Sequence, residues 1–363
     1  MNICIPKERR AFEYRVGLFP AGVKMLTQMG HTVYVEHEAG LGAGFSDQEY
    51  IQAGASIAYT PHEVFGRADL LLKVSRPITE EIEWLRPGVA LAGLLHLGSS
   101  RKDKIDLMVE KEITAIAYEQ IILPDGTGPI RRPLSKIGGI LAAQVGANLL
   151  QSNTGGKGIL LGGMPGVPPA EVVIIGAGVA GTGAAKAFMG MGAHLTVLDT
   201  NPSALEEVCN HIPYVATLNA TPINIQRSCM YADLVIGAIL VPGERPPIVV
   251  SREIIRSMKP RSIIMDISID EGGCVETSRP TTNEKPTFIE EGVIHYCVPN
   301  MGSLVSRTAT YAFLNAAMPF ITELVTKGID KAIAENPAIE HGVAIHKGQV
   351  THISSLSTFA QLE

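Results

Sequence analysis

Two sets of residues in this chain have the types and spacing to do chemistry. The first is the glycine turn Gly176-Ala177-Gly178-Val179-Ala180-Gly181, entered from the apolar run Val172–Ile175. A small-residue stretch to about Met191 follows, and then a second apolar run, Leu195–Leu198, which ends on Asp199. Strand, turn, helix, strand and terminal acid in that order form a dinucleotide-binding unit. Gly176 permits the tight turn, Gly178 lets a pyrophosphate approach the backbone, and Gly181 lets the helix pack close to the strand. Val179 and Ala180 open the helix, whose unpaired N–H groups and partial positive charge suit phosphates. Asp199, 18 residues past Gly181, is placed to accept hydrogen bonds from ribose hydroxyls. It repels a 2′-phosphate, and Thr200-Asn201-Pro202 bring no Arg or Lys, so NAD is expected rather than NADP.

The second set lies where apolar strands end, the positions at which ligands gather in open α/β sheets. Lys73 follows three leucines in ADLLLKVSRP, His96 ends ALAGLLHLG, Asp270 follows SIIMDISID, and Arg15 closes the charged turn KERRAFEYR. Each has a plain structural reading as well. Lys73 fits an edge-strand gatekeeper, His96 a hydrogen-bonded core histidine, Asp270 a turn residue before Gly272-Gly273, and Arg15 a surface charge. Together, two cations, an imidazole and a carboxylate beside a nicotinamide make an oxidoreductase site for a small acid. Arg15 can grip a carboxylate with its fork, Lys73 adds a point charge, and the His96 imidazole can trade a proton with the carbonyl or amine.

The elements that must position these groups alternate in type. Strands are expected at Asn2–Ile5, Thr32–Glu36, Leu70–Val74, Ala90–Leu95 and Thr114–Ala117, with helices near Pro20–Met29, Asp47–Ala53 and Asp103–Glu110. Gly30 reads as a helix C-cap. This alternation implies a parallel sheet with helices on its faces. A small-residue helix at Leu134–Gln151 reads as a domain connector, and the glycine-rich 155–166 as a loop or hairpin leading into the fingerprint strand. Further strands are expected near Leu234–Gly237, Ser262–Asp266 and Ile294–Val298. A last helix, Val305–Lys327, returns the chain to the first domain. The expected organisation is a discontinuous catalytic domain, 1–128 plus 305–363, with a nucleotide-binding domain, 129–304, inserted.

Composition bounds the partners. The chain has 363 residues, with 46% hydrophobic and 18% charged, enough for two domains with their own cores. The net charge of −6 is modest and basic residues do not cluster, so nucleic acid is not an expected partner. No apolar run reaches the length of a membrane span and MNICIPKERR lacks a signal-peptide core, so a cytoplasmic protein without a membrane partner is expected. Five scattered cysteines without ligand spacing suggest neither a disulfide framework nor a zinc site.

Several longer segments resemble the alanine dehydrogenase and transhydrogenase family. They are IPKE and YRVGLFPAGV within 5–23, DLLLKV at 69–74, LLHLG at 94–98, AYE at 117–119 and GGMPGVPPAEVVIIGAGVAG at 162–181. ADLVIGAILVPG at 232–243, DISIDEGGC at 266–274, SRPTT at 278–282 and CVPNM at 297–301 continue the match. The resemblance implies an α/β fold of two Rossmann-like, doubly wound domains and NAD-dependent interconversion of alanine with pyruvate and ammonia. It implies that Arg15 and Lys73 hold the substrate carboxylate, that His96 is the general acid/base and that Asp270 is a second catalytic carboxylate. Ser135 would touch the cofactor phosphates, and Ile239, Leu240, Ile267, Ser268, Ile269, Arg279, Val298, Asn300 and Met301 would line the nicotinamide pocket. Hydride transfer demands a dry site, so hinge motion is expected. A homohexamer is implied too.

The LHL form around His96 resembles the soluble dehydrogenases more than the membrane-linked transhydrogenase subunit. Departures from the family pattern include Leu94 in place of an aromatic residue, Leu134 in place of a methionine, Lys136 and Ser306. These leave open a bulkier 2-oxo acid as substrate, or a transhydrogenase-like NAD(H)-binding partner protein. Where some relatives place a metal-binding acid and histidine, this chain has Glu323 and Lys327, so no metal is expected.

Overall fold

The computed structural model describes residues 1–241 and 244–353. The last two residues of the family-like segment 232–243 and the end of the expected catalytic segment, 354–363, lie outside the described residues. Fifteen strands are found among the described residues: β1 Asn2–Ile5, β2 Thr32–Glu36, β3 Ser56–Ala58, β4 Leu70–Ser75, β5 Ala90–Leu94, β6 Thr114–Ala117, β7 Glu171–Ile175, β8 His194–Asp199, β9 Ala216–Asn219, β10 Leu234–Gly237, β11 Ile263–Asp266, β12 Thr287–Glu290, β13 Val293–Tyr296, β14 Val343–His346 and β15 Gln349–Val350. The chain divides into two units, Met1–Leu134 with Ser303–Glu363, and Ser135–Gly302.

The first unit carries an eight-stranded sheet in the order β15-β14-β6-β5-β4-β1-β2-β3. From β1 the chain winds one way through β2 and β3, then returns to β4 and winds the other way through β5 and β6, all parallel. β14 runs antiparallel to β6, and β15 turns back antiparallel to β14, an antiparallel edge of the kind often added to a parallel sheet. The strands are buried on both faces, which is why LLLKV reads as a continuous run. Alternation still sorts the side chains: Ile3, Ile5, Leu70 and Leu72 join one core, and Cys4 and Leu71 the other. The first core is completed by the helix Ser306–Lys327, through Phe313, Leu314, Ala317 and Ile321. Losing one such buried leucine costs about 2–5 kcal/mol.

The second unit repeats the plan, in the order β12-β13-β11-β10-β7-β8-β9. Its winding reverses between β7 and β10, and β12 alone is antiparallel. One face packs Val173, Ile175, Val235 and Ile264 with Ile225 and Ile255. The helix Arg131–Leu149 lies on the other face, where a Cβ on Gly146 would meet Leu234 at 2.9 Å. Both sheets are thus α/β and doubly wound, as expected.

β1, β2, β6 and β10 have the expected limits, and Gly30 caps its helix at φ 88°. The sequence reading passed over β3, β9, β12, β14 and β15, short strands at or next to sheet edges. β9, for example, is mostly exposed, so its residues carry no burial pattern to read. No described helix is long and apolar enough to cross a membrane.

Candidate active site

In each unit the crevice to examine lies at the carboxyl ends of the strands, where the winding reverses. In the second unit that point is occupied by the glycine turn after β7. Gly176 adopts φ 110°, and a Cβ there would strike the carbonyl of Ala238, just past β10. A Cβ on Gly181 would strike the carbonyl of Gly176, so the helix Val179–Gly190 can start this close to the strand only with glycine there. Gly178 is different: nothing lies within 4 Å of the position its Cβ would take. That open cradle at a helix N-terminus fits a pyrophosphate. Val179 and Ala180 follow it, half-buried.

Asp199, at the end of β8, accepts hydrogen bonds from the N–H of Ala177 (2.6 Å) and of Asn201 (2.8 Å). Its carboxylate is therefore held beside the glycine turn, with lone pairs left for hydroxyl donors. Ser135 is half-buried on the helix Arg131–Leu149. That helix lies against the fingerprint helix, since a Cβ on Gly139 would strike the carbonyl of Ala180 and one on Gly183 would lie 3.0 Å from that of Lys136.

The ends of β10 and β11 are tied together. The N–H of Ile239 donates to Ser268 Oγ (2.8 Å), and that of Ile267 to the carbonyl of Gly237 (3.0 Å). Beneath them the buried Asp266 accepts from the N–H of Ser268, Cys274 and Val275 at 3.0–3.2 Å. Burial pushes its carboxyl above the usual range against the pull of these donors. Asp270 is exposed in the loop so formed, and its Oδ1 accepts the N–H of Asn300 (2.9 Å), which stands at φ 55°. Ile269, Val298 and Met301 are buried nearby in sequence, and Leu240 is largely exposed. The Arg279 guanidinium lies 4.0 Å from the centroid of the Phe288 ring, a cation–π contact.

In the first unit the reversal between β1 and β4 gathers charge. The segment after β1 crosses β4 at Gly17, where a Cβ would strike the carbonyl of Leu72. Just before that crossing Arg15 binds Glu13, Nε to Oε1 at 2.7 Å and Nη2 to Oε2 at 2.5 Å. Arg15 is only 3% exposed, which rules out the surface-charge reading. Lys73 shares the strand parity of Leu71, so it points toward the face on which the helix Thr79–Trp84 packs through Ile82. That helix supplies Glu81, whose Oε1 accepts from Lys73 Nζ at 2.7 Å, and Glu8 Oε2 accepts from the same Nζ at 3.1 Å. Lys73 is buried rather than an edge gatekeeper.

The electrostatics of this cluster follow from burial and pairing. Burial would neutralise Lys73, but Glu8 and Glu81 outweigh it and hold the ammonium charged. Burial likewise works against Glu13, and Arg15 more than compensates, keeping its carboxyl below the usual range. Glu8 is pushed up by burial and by its neighbours Glu81 and Glu13, despite Lys73. Arg9 Nη1 also lies 3.8 Å from Glu81 Oε1, at the edge of this cluster.

His96 stands at the end of β5, half-buried, with φ 41° and ψ 46°. Among the described residues its ring makes no hydrogen bond, so the core-histidine reading does not hold. Arg76 Nη1 donates to Ser99 Oγ (2.8 Å), which donates to the carbonyl of His96 (2.9 Å), linking the loops after β4 and β5. Sequence reasoning missed Glu8, Glu13, Glu81 and Glu119. Glu8 and Glu119 were findable, because IPKE and AYE place them just past strands, by the same criterion that picked out Lys73 and His96. Glu81 reaches the cluster from a helix eight residues on and leaves no such signal. Glu323 accepts from Lys327 Nζ (2.8 Å) and Asn336 Nδ2 (2.6 Å), far along the last long helix.

Comparison with known proteins identifies the family. Residues 4–137 match the model of the alanine dehydrogenase/PNT N-terminal domain and residues 142–353 that of the C-terminal domain. An alanine dehydrogenase of Methanococcus maripaludis is 43% identical, over 97% of this chain and 95% of its own length. A solved structure of an L-alanine dehydrogenase superposes with a TM-score of 0.93 at 40% identity, covering 97% of both chains. That of a transhydrogenase from Sinorhizobium meliloti gives 0.83 at 25% identity, covering 97% of this chain and all of that one. The chain belongs to the alanine dehydrogenase/PNT family.

Proposed function

We propose that this protein catalyses the NAD-dependent oxidative deamination of L-alanine to pyruvate and ammonia, and the reverse reductive amination. The observation that carries the reading is that one unit holds an open phosphate cradle at Gly178, and that the other holds, at the carboxyl ends of its strands, buried Arg15 and Lys73 and the imidazole of His96, whose ring makes no hydrogen bond among the described residues. Similarity of 40–43% to alanine dehydrogenases over nearly the whole chain supports alanine as the amino acid. NAD rather than NADP is favoured by the acid at 199.

The nicotinamide, when bound, supplies the acceptor for the hydride that leaves Cα of the amino acid. Arg15 and Lys73 hold the substrate carboxylate, and Lys73 polarises the keto oxygen in the reverse direction. His96 takes a proton as water adds to the imine and returns it as ammonia leaves. Asp270 is the second carboxylate that handles protons. Ser135, Asp199 and the turn from Gly176 to Gly181 hold the dinucleotide. Ile239, Leu240, Ile267, Ser268, Ile269, Arg279, Val298, Asn300 and Met301 shape the nicotinamide end. No metal takes part in this scheme. The family resemblance extends it to a cytoplasmic homohexamer, which analytical ultracentrifugation tests.

The decisive assay is NADH oxidation with ammonia and a panel of 2-oxo acids. Preference for pyruvate, lost in His96→Ala while NADH still binds, is the expected result. An active His96→Ala variant would sink the proton-transfer role, and NADH binding without reduction of any 2-oxo acid would sink the activity.

A further inference from the structure

His96 occupies a left-handed conformation that side chains with a Cβ rarely adopt, and something must hold it there. β5 ends at Leu94, and its paired register with β6 stops at Gly93 opposite Ala117, so Leu95 and His96 lie beyond the ladder. The N–H groups of Leu95 and His96 would be left without partners, which buried backbone does not tolerate. Both converge instead on one side chain. Glu119 Oε2 accepts from Leu95 (3.0 Å) and Oε1 from His96 (2.6 Å). Glu119 sits in the short turn after β6 and is 9% exposed.

We propose that Glu119 is the positioning residue for the His96 imidazole, an inference that rests on the proton-transfer role assigned to His96 above. The carboxylate takes both N–H groups from one side, and Ser99 takes the His96 carbonyl from the other, through its N–H (3.0 Å) and its Oγ (2.9 Å). The backbone of His96 is fastened at both ends, so the direction of its Cα–Cβ bond is set while the ring stays free to meet substrate. A carboxylate is suited to this task because its two oxygens can each accept one of two adjacent donors, and charge strengthens both bonds.

The test is steady-state kinetics on the full chain, pyruvate with ammonia and NADH, for Glu119→Gln, His96→Ala and the double variant. Histidine-ring NMR of Glu119→Gln supplies a readout independent of activity. Gln keeps the size and one acceptor but turns an amide N–H₂ toward a backbone donor. We expect kcat to fall about 10- to 100-fold, the scale of a displacement near 1 Å. The KM for pyruvate and the affinity for NADH should stay within about threefold, and the His96 ring signal should shift or broaden. Glu119→Asp, which keeps the charge but withdraws it by one methylene, should lose kcat in the same way and is the second variant if Gln folds poorly. On the residual single-turnover rate of His96→Ala, Glu119→Gln should cost nothing further. An inactive His96→Ala beside a Glu119→Gln of wild-type kcat would overturn the inference alone, as would an equal loss from Glu119→Gln in both backgrounds. Full activity in His96→Ala would overturn the earlier reading instead.

Discussion

Arg15 and Glu13 are joined by two side-chain hydrogen bonds, 2.7 and 2.5 Å long, with both side chains buried. The guanidinium fork proposed to receive the carboxylate of a small acid thus already faces a carboxylate of its own chain. Glu13 Oε2 also accepts from Ser75 Oγ (2.9 Å), at the end of β4. The pair therefore fixes the Arg15 side chain against the strand that carries Lys73.

This pair makes stability depend on acid. Because the Glu13 carboxyl is held below its ordinary range, its contribution is complete above about pH 4.3, the ordinary glutamate value, and is lost as pH falls through the lower folded value. Glu13→Gln should remove about 3–5 kcal/mol at pH 7, since it leaves Arg15 buried without its counter-charge. It should also flatten the loss of stability below pH 4. Urea unfolding at pH 7 and pH 3.5 measures both, and an unchanged acid limb would show that Glu13 is not the group responsible.

Lys73→Met should be more damaging than an ordinary core substitution. It leaves Glu8 and Glu81 buried together without the ammonium between them, at a cost of about 3–5 kcal/mol. If uncompensated charge is the cause, adding Glu81→Gln should recover part of that stability while activity stays lost. A double variant no more stable than the single one would point to lost packing instead.

The glycines of the turn should fail in different ways. Gly178→Ala meets open space, so Tm should be unchanged while NADH affinity falls at least tenfold, because the methyl occupies the approach of the phosphates. Gly181→Ala meets the Gly176 carbonyl and should lower Tm by several degrees before any ligand is added. Calorimetry and fluorescence titration separate the two, and equal behaviour of both variants would contradict the geometry.

Asp199→Ser removes the charge but keeps an acceptor near the Ala177 N–H. NADH affinity should fall about tenfold, and the preference for NADH over NADPH should narrow by a further factor of about ten, each equivalent to about 1.4 kcal/mol. Titration with both dinucleotides gives the ratio. An unaltered preference would mean that some other residue excludes the 2′-phosphate.

Most of the fold could be read from local pattern. Central strands such as β1, β4 and β10 are continuous apolar runs because a parallel sheet covered on both faces permits nothing else. The glycine turn was legible because each glycine answers a steric demand within a few residues of itself. Lys73 and His96 stood out for a related reason, as polar residues at the ends of apolar strands. β9, β12 and β15 were not legible, since edge strands lack the two-sided burial that writes a pattern into sequence.

Partnership was decided by the tertiary structure. Strand order places β4 beside β1 and β6 beside β5, and that order brings Glu8 onto Lys73 and Glu119 to His96, while Glu81 comes from the helix that follows β4. These carboxylates lie from 8 to 65 residues from the groups they hold. Their pairing depends on long-range winding and on which face of a strand each side chain takes. Local spacing names the residue types that could do chemistry. The charge each one carries, and the direction it points, come from neighbours that only the folded sheet supplies.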